Sequence, residues 1–163
     1  MKAIFAGTFD PFTLGHLDIV NRAAKVFDFV HISILYNPGK DGELFTVSER
    51  EDLIRDAVSG IENVDVMSFD GLLTEQAKQL GAGCIIRGIR NGSDVDYESM
   101  LEQVNNRLAP EIQTLYMISD PKLAYISSSL VRQLISIGID ISELVPNAAH
   151  QAYRNHNILA ERK

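Results

Sequence analysis

Five short, mostly apolar runs, separated by stretches of helical periodicity, constrain this chain more than any other feature. They are residues 3–7, 29–36, 64–67, 84–86 and 115–118. Near-continuous runs of this length, rather than alternating ones, belong to strands buried on both faces of a parallel sheet. Over residues 16–27, Leu17, Val20, Ala23, Ala24 and Phe27 recur at helical spacing. A loop with Pro38, Gly39 and Gly42 follows the second run. Thr46 and Glu49 then form a capping box that opens a helix through Val58. Residues 74–80 predict a helix stopped by Gly81. Asp94 is placed to cap a longer helix with Tyr97, Leu101, Val104 and Leu108 on one stripe. Ser127 or Ser128 starts another helix, apolar at Leu130, Val131, Leu134 and Ile135, with Gly138 near its end, and Asn147 begins a last one.

Strand and helix therefore alternate throughout. Because parallel crossovers are right-handed, the expected fold is α/β: a Rossmann-like, doubly wound, five-stranded parallel sheet in order 3-2-1-4-5 with helices on both faces. A chain of 163 residues fits one domain, taken as 1–163. Ligands of such sheets bind beyond the C-terminal strand ends, where the order reverses between strands 1 and 4.

Three unusual segments fall at those ends. After strand 1 comes a turn with Gly7, Gly15 and His16 at a helix start, where free N–H groups favour an anion. After strand 4, Arg87 and Arg90 flank Gly88 and Ile89, and guanidinium forks suit phosphate. Ahead of a helix, Ser127, Ser128 and Ser129 can cap it and hold an anion at once, with Arg132 adding charge in its first turn. The chain carries 15 Lys+Arg against 22 Asp+Glu, a net charge of −7. That balance argues against nucleic acid as a partner but allows a local cationic pocket.

Other signals narrow the class further. The sequence holds no Walker-type phosphate loop, G-x-G-x-x-G, H-E-x-x-H or G-x-S-x-G motif. No carboxylate cluster marks a dedicated metal site, and the single cysteine, Cys84, reads as a core residue. No apolar run approaches the roughly 20 residues of a membrane span. The expectation is a cytoplasmic protein without a membrane partner.

Thr13-Leu14-Gly15-His16 and Ile126-Ser127-Ser128-Ser129 match the [HT]-x-G-H and I-S-S-[ST] motifs of a nucleotidyltransferase superfamily. Within it the chain resembles the bacterial phosphopantetheine adenylyltransferases. Their G-[ST]-F-D-P-x-T-x-G-H motif is complete over residues 7–16, and R-G-[LI]-R-x-x-x-D-x-x-Y-E over residues 87–98. The resemblance implies transfer of AMP from ATP to 4′-phosphopantetheine, yielding dephospho-CoA and pyrophosphate, with Mg²⁺ arriving on ATP.

It also implies roles. His16 would stabilise the transition state, with Lys40 and Arg90 as further catalytic groups. Thr8, Phe9, His16, Gly88, Ile89, Arg90, Glu98, Leu123, Ala124, Tyr125, Ile126, Ser127, Ser128 and Ser129 would bind ATP. Thr8, Lys40, Leu73, Arg87 and Asn105 would bind phosphopantetheine. A homohexamer and feedback binding of CoA follow from the same likeness. Apolar residues crowded at Ile135, Ile137, Ile139, Ile141, Leu144 and Val145 offer a motive for assembly. Two rivals stand beside this reading. One is another nucleotidyltransferase, such as a nicotinate mononucleotide adenylyltransferase or a cytidylyltransferase, although those usually carry H-x-G-H. The other is a non-catalytic nucleotide-binding module, against which His16 counts.

Overall fold

The computed structural model describes residues 1–36 and 43–160. Lys40 lies outside the described residues. The elements run β1 (Lys2–Gly7), α1 (Leu14–Ala23), β2 (Phe29–Leu35), α2 (Val47–Ala57), β3 (Val64–Phe69), α3 (Leu73–Leu80), β4 (Ala82–Ile89), α4 (Gly92–Leu108), β5 (Gln113–Ile118), α5 (Ser128–Ser136) and α6 (Asn147–Ala160). The five strands form one parallel sheet in the order β3-β2-β1-β4-β5, as the alternation predicts. Among the described residues, no helix is long and apolar enough to cross a membrane.

Strand pleating divides the core between two faces. Ala3, Phe5, Val30, Ile32, Ile34 and Ile86 point toward α1 and α2, where Ile19, Val20 and Ile54 meet them. Ile4 and Ile85 point the other way, onto Ala77 of α3 and onto Ala109 and Ile112. Complete burial of an isoleucine such as Ile4 or Ile85 contributes about 1.5–3 kcal/mol. β1 and β4, apolar on both faces over Ala3–Phe5 and Cys84–Ile86, are consequently buried on both.

Local boundaries differ from the sequence expectation where capping decides them. α1 starts at Leu14, capped by Thr13, and ends at Ala23, before the turn that buries Phe27. α4 is capped by Asn91, whose side chain accepts from the Asp94 N–H. Asp94 sits in the first turn and accepts instead from the Arg90 backbone at 3.0 Å. Gly81 does end α3, in the left-handed conformation at φ 66°.

Two apolar stripes exchange roles relative to expectation. Ile141, Leu144 and Val145 are not surplus surface. With Ile126, Val131 and Ala149 they build a third core cluster under α5 and α6, leaving Ile137 and Ile139 exposed. By contrast, α4 buries no residue. Val95, Tyr97, Met100, Leu101, Val104 and Leu108 are exposed along it, and Leu115 and Ile118 on the neighbouring edge strand are exposed too.

Candidate active site

The site forms where β1 and β4 end side by side. A cavity of about 260 Å³ opens there, lined from all three unusual segments: Thr8, Phe9 and His16; Arg87, Gly88, Arg90 and Glu98; and Ile126 through the three serines. Ser119 and Arg132 join the lining. Three arginines against one glutamate make this crevice locally positive within a chain of net charge −7.

The first loop is built for close packing. Gly7 admits the ring of Phe9, which a Cβ would meet at 3.0 Å. Phe9 takes φ 48°, a left-handed backbone uncommon for a bulky residue and costing of order 1–3 kcal/mol. Aromatic packing offsets the cost: its centroid lies 5.3 Å from Phe5, 5.5 Å from Phe12 and 5.1 Å from the His16 ring. Buried Arg50 donates to the Thr8 carbonyl at 2.8 Å. The Asp10 carboxylate accepts from the N–H groups of Leu44 at 2.8 Å and Phe45 at 3.0 Å.

The same loop is tied to the serine segment. Ser128 Oγ donates to the Pro11 carbonyl at 2.8 Å, and an Arg132 guanidinium N–H donates to the Asp10 carbonyl. Ser127 caps α5 by accepting from the Leu130 N–H at 3.1 Å. Ordinary capping thus accounts for the first serine. The second is committed to the loop, and Ser129 takes a weak bond from Arg132 at 3.4 Å.

His16 belongs to a capping box. Its Nδ1 accepts from the Thr13 backbone N–H at 3.0 Å, while its own N–H reaches Thr13 Oγ1 at 3.4 Å. The acceptor role of Nδ1 places the ring proton on Nε2, the remaining nitrogen. Burial, and secondly the Arg90 charge, lower its pKa to about 3. The ring is therefore a neutral N–H donor at physiological pH.

The arginines are held, not loose. Arg87 forms a bidentate pair with Glu98, Nε to Oε2 at 2.5 Å and Nη2 to Oε1 at 2.7 Å. Arg87 Nη1 also donates to the Ala6 carbonyl at 3.0 Å. Its five N–H groups exceed these three bonds, which leaves donors for a phosphate. Arg90 pairs with Asp94 at 3.0 Å. Between them lies Gly88, where a Cβ would stand 2.4 Å from Ile19 Cδ1.

A second cavity, about 430 Å³, adjoins the first through shared Gly7, Thr8, Arg87 and Glu98. Leu73, Asn105, Tyr97, Leu101 and Glu102 line it. Leu73 and Asn105, distant in sequence, thus line one cavity with Thr8 and Arg87. Four expected ATP contacts line neither cavity: Ile89, Leu123, Ala124 and Tyr125. Ile89 is buried in β4, Leu123 packs into the third core cluster, and Tyr125 is exposed. The Leu123 backbone still borders the crevice, its carbonyl 3.6 Å from the Cβ position of Gly15. Ser119 escaped the sequence reading, although its place just past β5 was a usable signal. Among the described residues, no group of three or more His, Cys, Asp or Glu side chains could hold a metal ion.

Residues 4–134 match the family described as cytidylyltransferase-like. The chain is 41% identical over 153 residues to the phosphopantetheine adenylyltransferase of Shouchella clausii, covering 94% of this chain and 96% of that protein. Identity is 44% over 153 residues to the enzyme of that name from Staphylococcus carnosus, covering 94% of each. It is 43% over 145 residues to that of Caldanaerobacter subterraneus, covering 89% and 90%.

Proposed function

We infer function from kinship and geometry together: this chain belongs to the phosphopantetheine adenylyltransferases, within the cytidylyltransferase-like family, and transfers AMP from ATP to 4′-phosphopantetheine. The observation that carries the reading is the pair of cavities meeting at Thr8 and Arg87. ATP occupies the cationic crevice and the pantetheine arm the second cavity. The acceptor phosphate then stands at their common wall.

An oxygen of that phosphate attacks the α-phosphorus of ATP in line. The new P–O bond forms as the bond to the β-phosphate bridging oxygen breaks, giving dephospho-CoA and pyrophosphate. The acceptor is already an oxyanion, so no protein nucleophile is required. The barrier lies in bringing two anions together and in the charge on the equatorial oxygens, which positioning and preorganised donors lower. His16 Nε2–H and Arg90 supply donors there, Arg87 holds the acceptor, and the free N–H groups at the N-terminus of α5 receive polyphosphate.

ATP enters as its Mg²⁺ complex. The hydroxyl- and guanidinium-rich lining fits a polyphosphate whose ion keeps waters and stays on the nucleotide. CoA carries the same pantetheine arm as the acceptor, so it acts as a feedback ligand by competing for the second cavity. Cytoplasmic location follows from the substrates.

The exposed stripe on α4 and β5 supports a homohexamer, since apolar surface of this extent is ordinarily covered by closed symmetric assembly. Light scattering at micromolar concentration should report a particle of roughly six chain masses. A stable monomer would overturn the hexamer and leave the chemistry untouched. Pyrophosphate release tests the chemistry itself: ATP with 4′-phosphopantetheine should release it, and ATP with nicotinate mononucleotide or without acceptor should not. Turnover confined to nicotinate mononucleotide, or none with any acceptor, would overturn the reading.

A further inference from the structure

The second cavity has a charge pattern that adenylyl transfer alone does not explain. Helical spacing on α4 places Glu98 and Glu102 one turn apart on one face. Arg87 and Tyr116 are register partners on β4 and β5. Each glutamate is tethered to one of them: Glu98 to Arg87, and Glu102 through Oε2 to the Tyr116 hydroxyl at 2.6 Å. The two tethers do different work. Glu98 neutralises an arginine at the wall shared with the nucleotide crevice. Glu102 receives a hydrogen bond from a neutral phenol, so its charge has no paired cation in the described structure. Partial burial and the bond to Glu102 push the Tyr116 phenol up to about 12, which keeps it a donor at neutral pH.

Apart from Arg87 and Glu98, which pair with each other at the shared wall, the lining beside Glu102 is neutral: Leu35, Leu73, Tyr97, Leu101, Asn105 and Thr114. The acceptor matches this division. Its phosphate lies at the shared wall, and the rest of its arm carries secondary amides and no charge. A carboxylate there accepts an amide N–H in a charge-assisted bond. Against a charged arm the same carboxylate is repulsive, and partial desolvation strengthens the repulsion.

We propose that Glu102, held by Tyr116, is a specificity-determining residue: it accepts an amide N–H of the pantetheine arm and rejects acceptors whose arm ends in a carboxylate. This rests on the adenylyl-transfer reading above. The test compares 4′-phosphopantetheine with 4′-phosphopantothenate, which carries such a carboxylate. Calorimetric Kd values are measured for both in the wild type, Glu102→Gln and Tyr116→Phe, with pyrophosphate release from wild-type enzyme assayed alongside.

In Glu102→Gln the preference for phosphopantetheine should fall about 10-fold or more, with ATP affinity unchanged. Tyr116→Phe frees the carboxylate without removing it and should move the preference the same way by less. A role confined to stability would weaken both acceptors together and leave their ratio constant, and a constant ratio in Glu102→Gln overturns the inference. Wild-type turnover with an unchanged ratio sinks this inference alone. Absence of wild-type turnover with phosphopantetheine sinks the proposed function as well.

Discussion

Replacing His16 with alanine is expected to lower kcat by about 10²- to 10³-fold, the loss typical of one preorganised donor aimed at developing charge. ATP affinity should change by no more than a few-fold. The reason lies in the ring's protonation. Nδ1 is occupied by the Thr13 N–H, so only Nε2–H is free to donate. A neutral donor contributes little to ground-state binding of polyphosphate beside Arg87, Arg90 and Arg132. It matters most when charge builds on the α-phosphate. Loss of the capping interaction also costs the variant about 1 kcal/mol of stability, too little to account for the rate. Single-turnover kinetics together with calorimetry on ATP separate the two effects. Near-normal kcat, or an equal loss in ATP affinity, would remove His16 from the chemistry.

The same residue makes a pH prediction. Its pKa is lowered to about 3, against about 6.5 in an unfolded chain. Above pH 6.5 neither state holds the proton and His16 adds no pH dependence. As pH falls from 6.5 toward 3 the unfolded chain binds a proton that the native chain excludes, so stability declines across that window and levels off below it. Ring resonances of His16 followed by NMR should therefore stay flat from pH 8 to pH 5. A midpoint near 6.5 would contradict the assignment.

Arg87→Ala is expected to raise the KM for phosphopantetheine by about 10- to 100-fold, matching the 1.5–3 kcal/mol typical of hydrogen bonds to charged groups. ATP should be affected far less. Arg90→Ala should show the converse. Arg87 lines both cavities, whereas Arg90 lines only the crevice. Arg87→Ala also strands Glu98, 13% exposed, without its partner, so a fall in Tm should accompany the KM effect. Arg87→Lys restores charge but not the fork, and should recover only part of the affinity. Equal losses for both ligands in both variants would refute the division of labour.

What the sequence determined by itself was the succession of elements and the order of the strands. Apolar runs and capping signals a few residues long predicted the strands and most helices. The chirality of crossovers then predicted the order 3-2-1-4-5 and the convergence of Thr8, His16, Arg87 and the serines at one set of strand ends. The tertiary structure decided what depends on partners far apart in the chain. Arg87 reaches Glu98 and Ala6, Arg50 reaches Thr8, and Tyr116 reaches Glu102. Which stripe of apolar residues is core was likewise undecided locally. Residues 141–145 find α5 and α6 to pack on, whereas the stripe on α4 stays exposed among the described residues. The physical reason is one of range. Periodicity shows that a face is apolar and capping shows where a helix begins, because both act within a turn or two. Which face is covered, and which nitrogen of His16 carries the proton, depends on groups that only strand register and helix packing bring into contact.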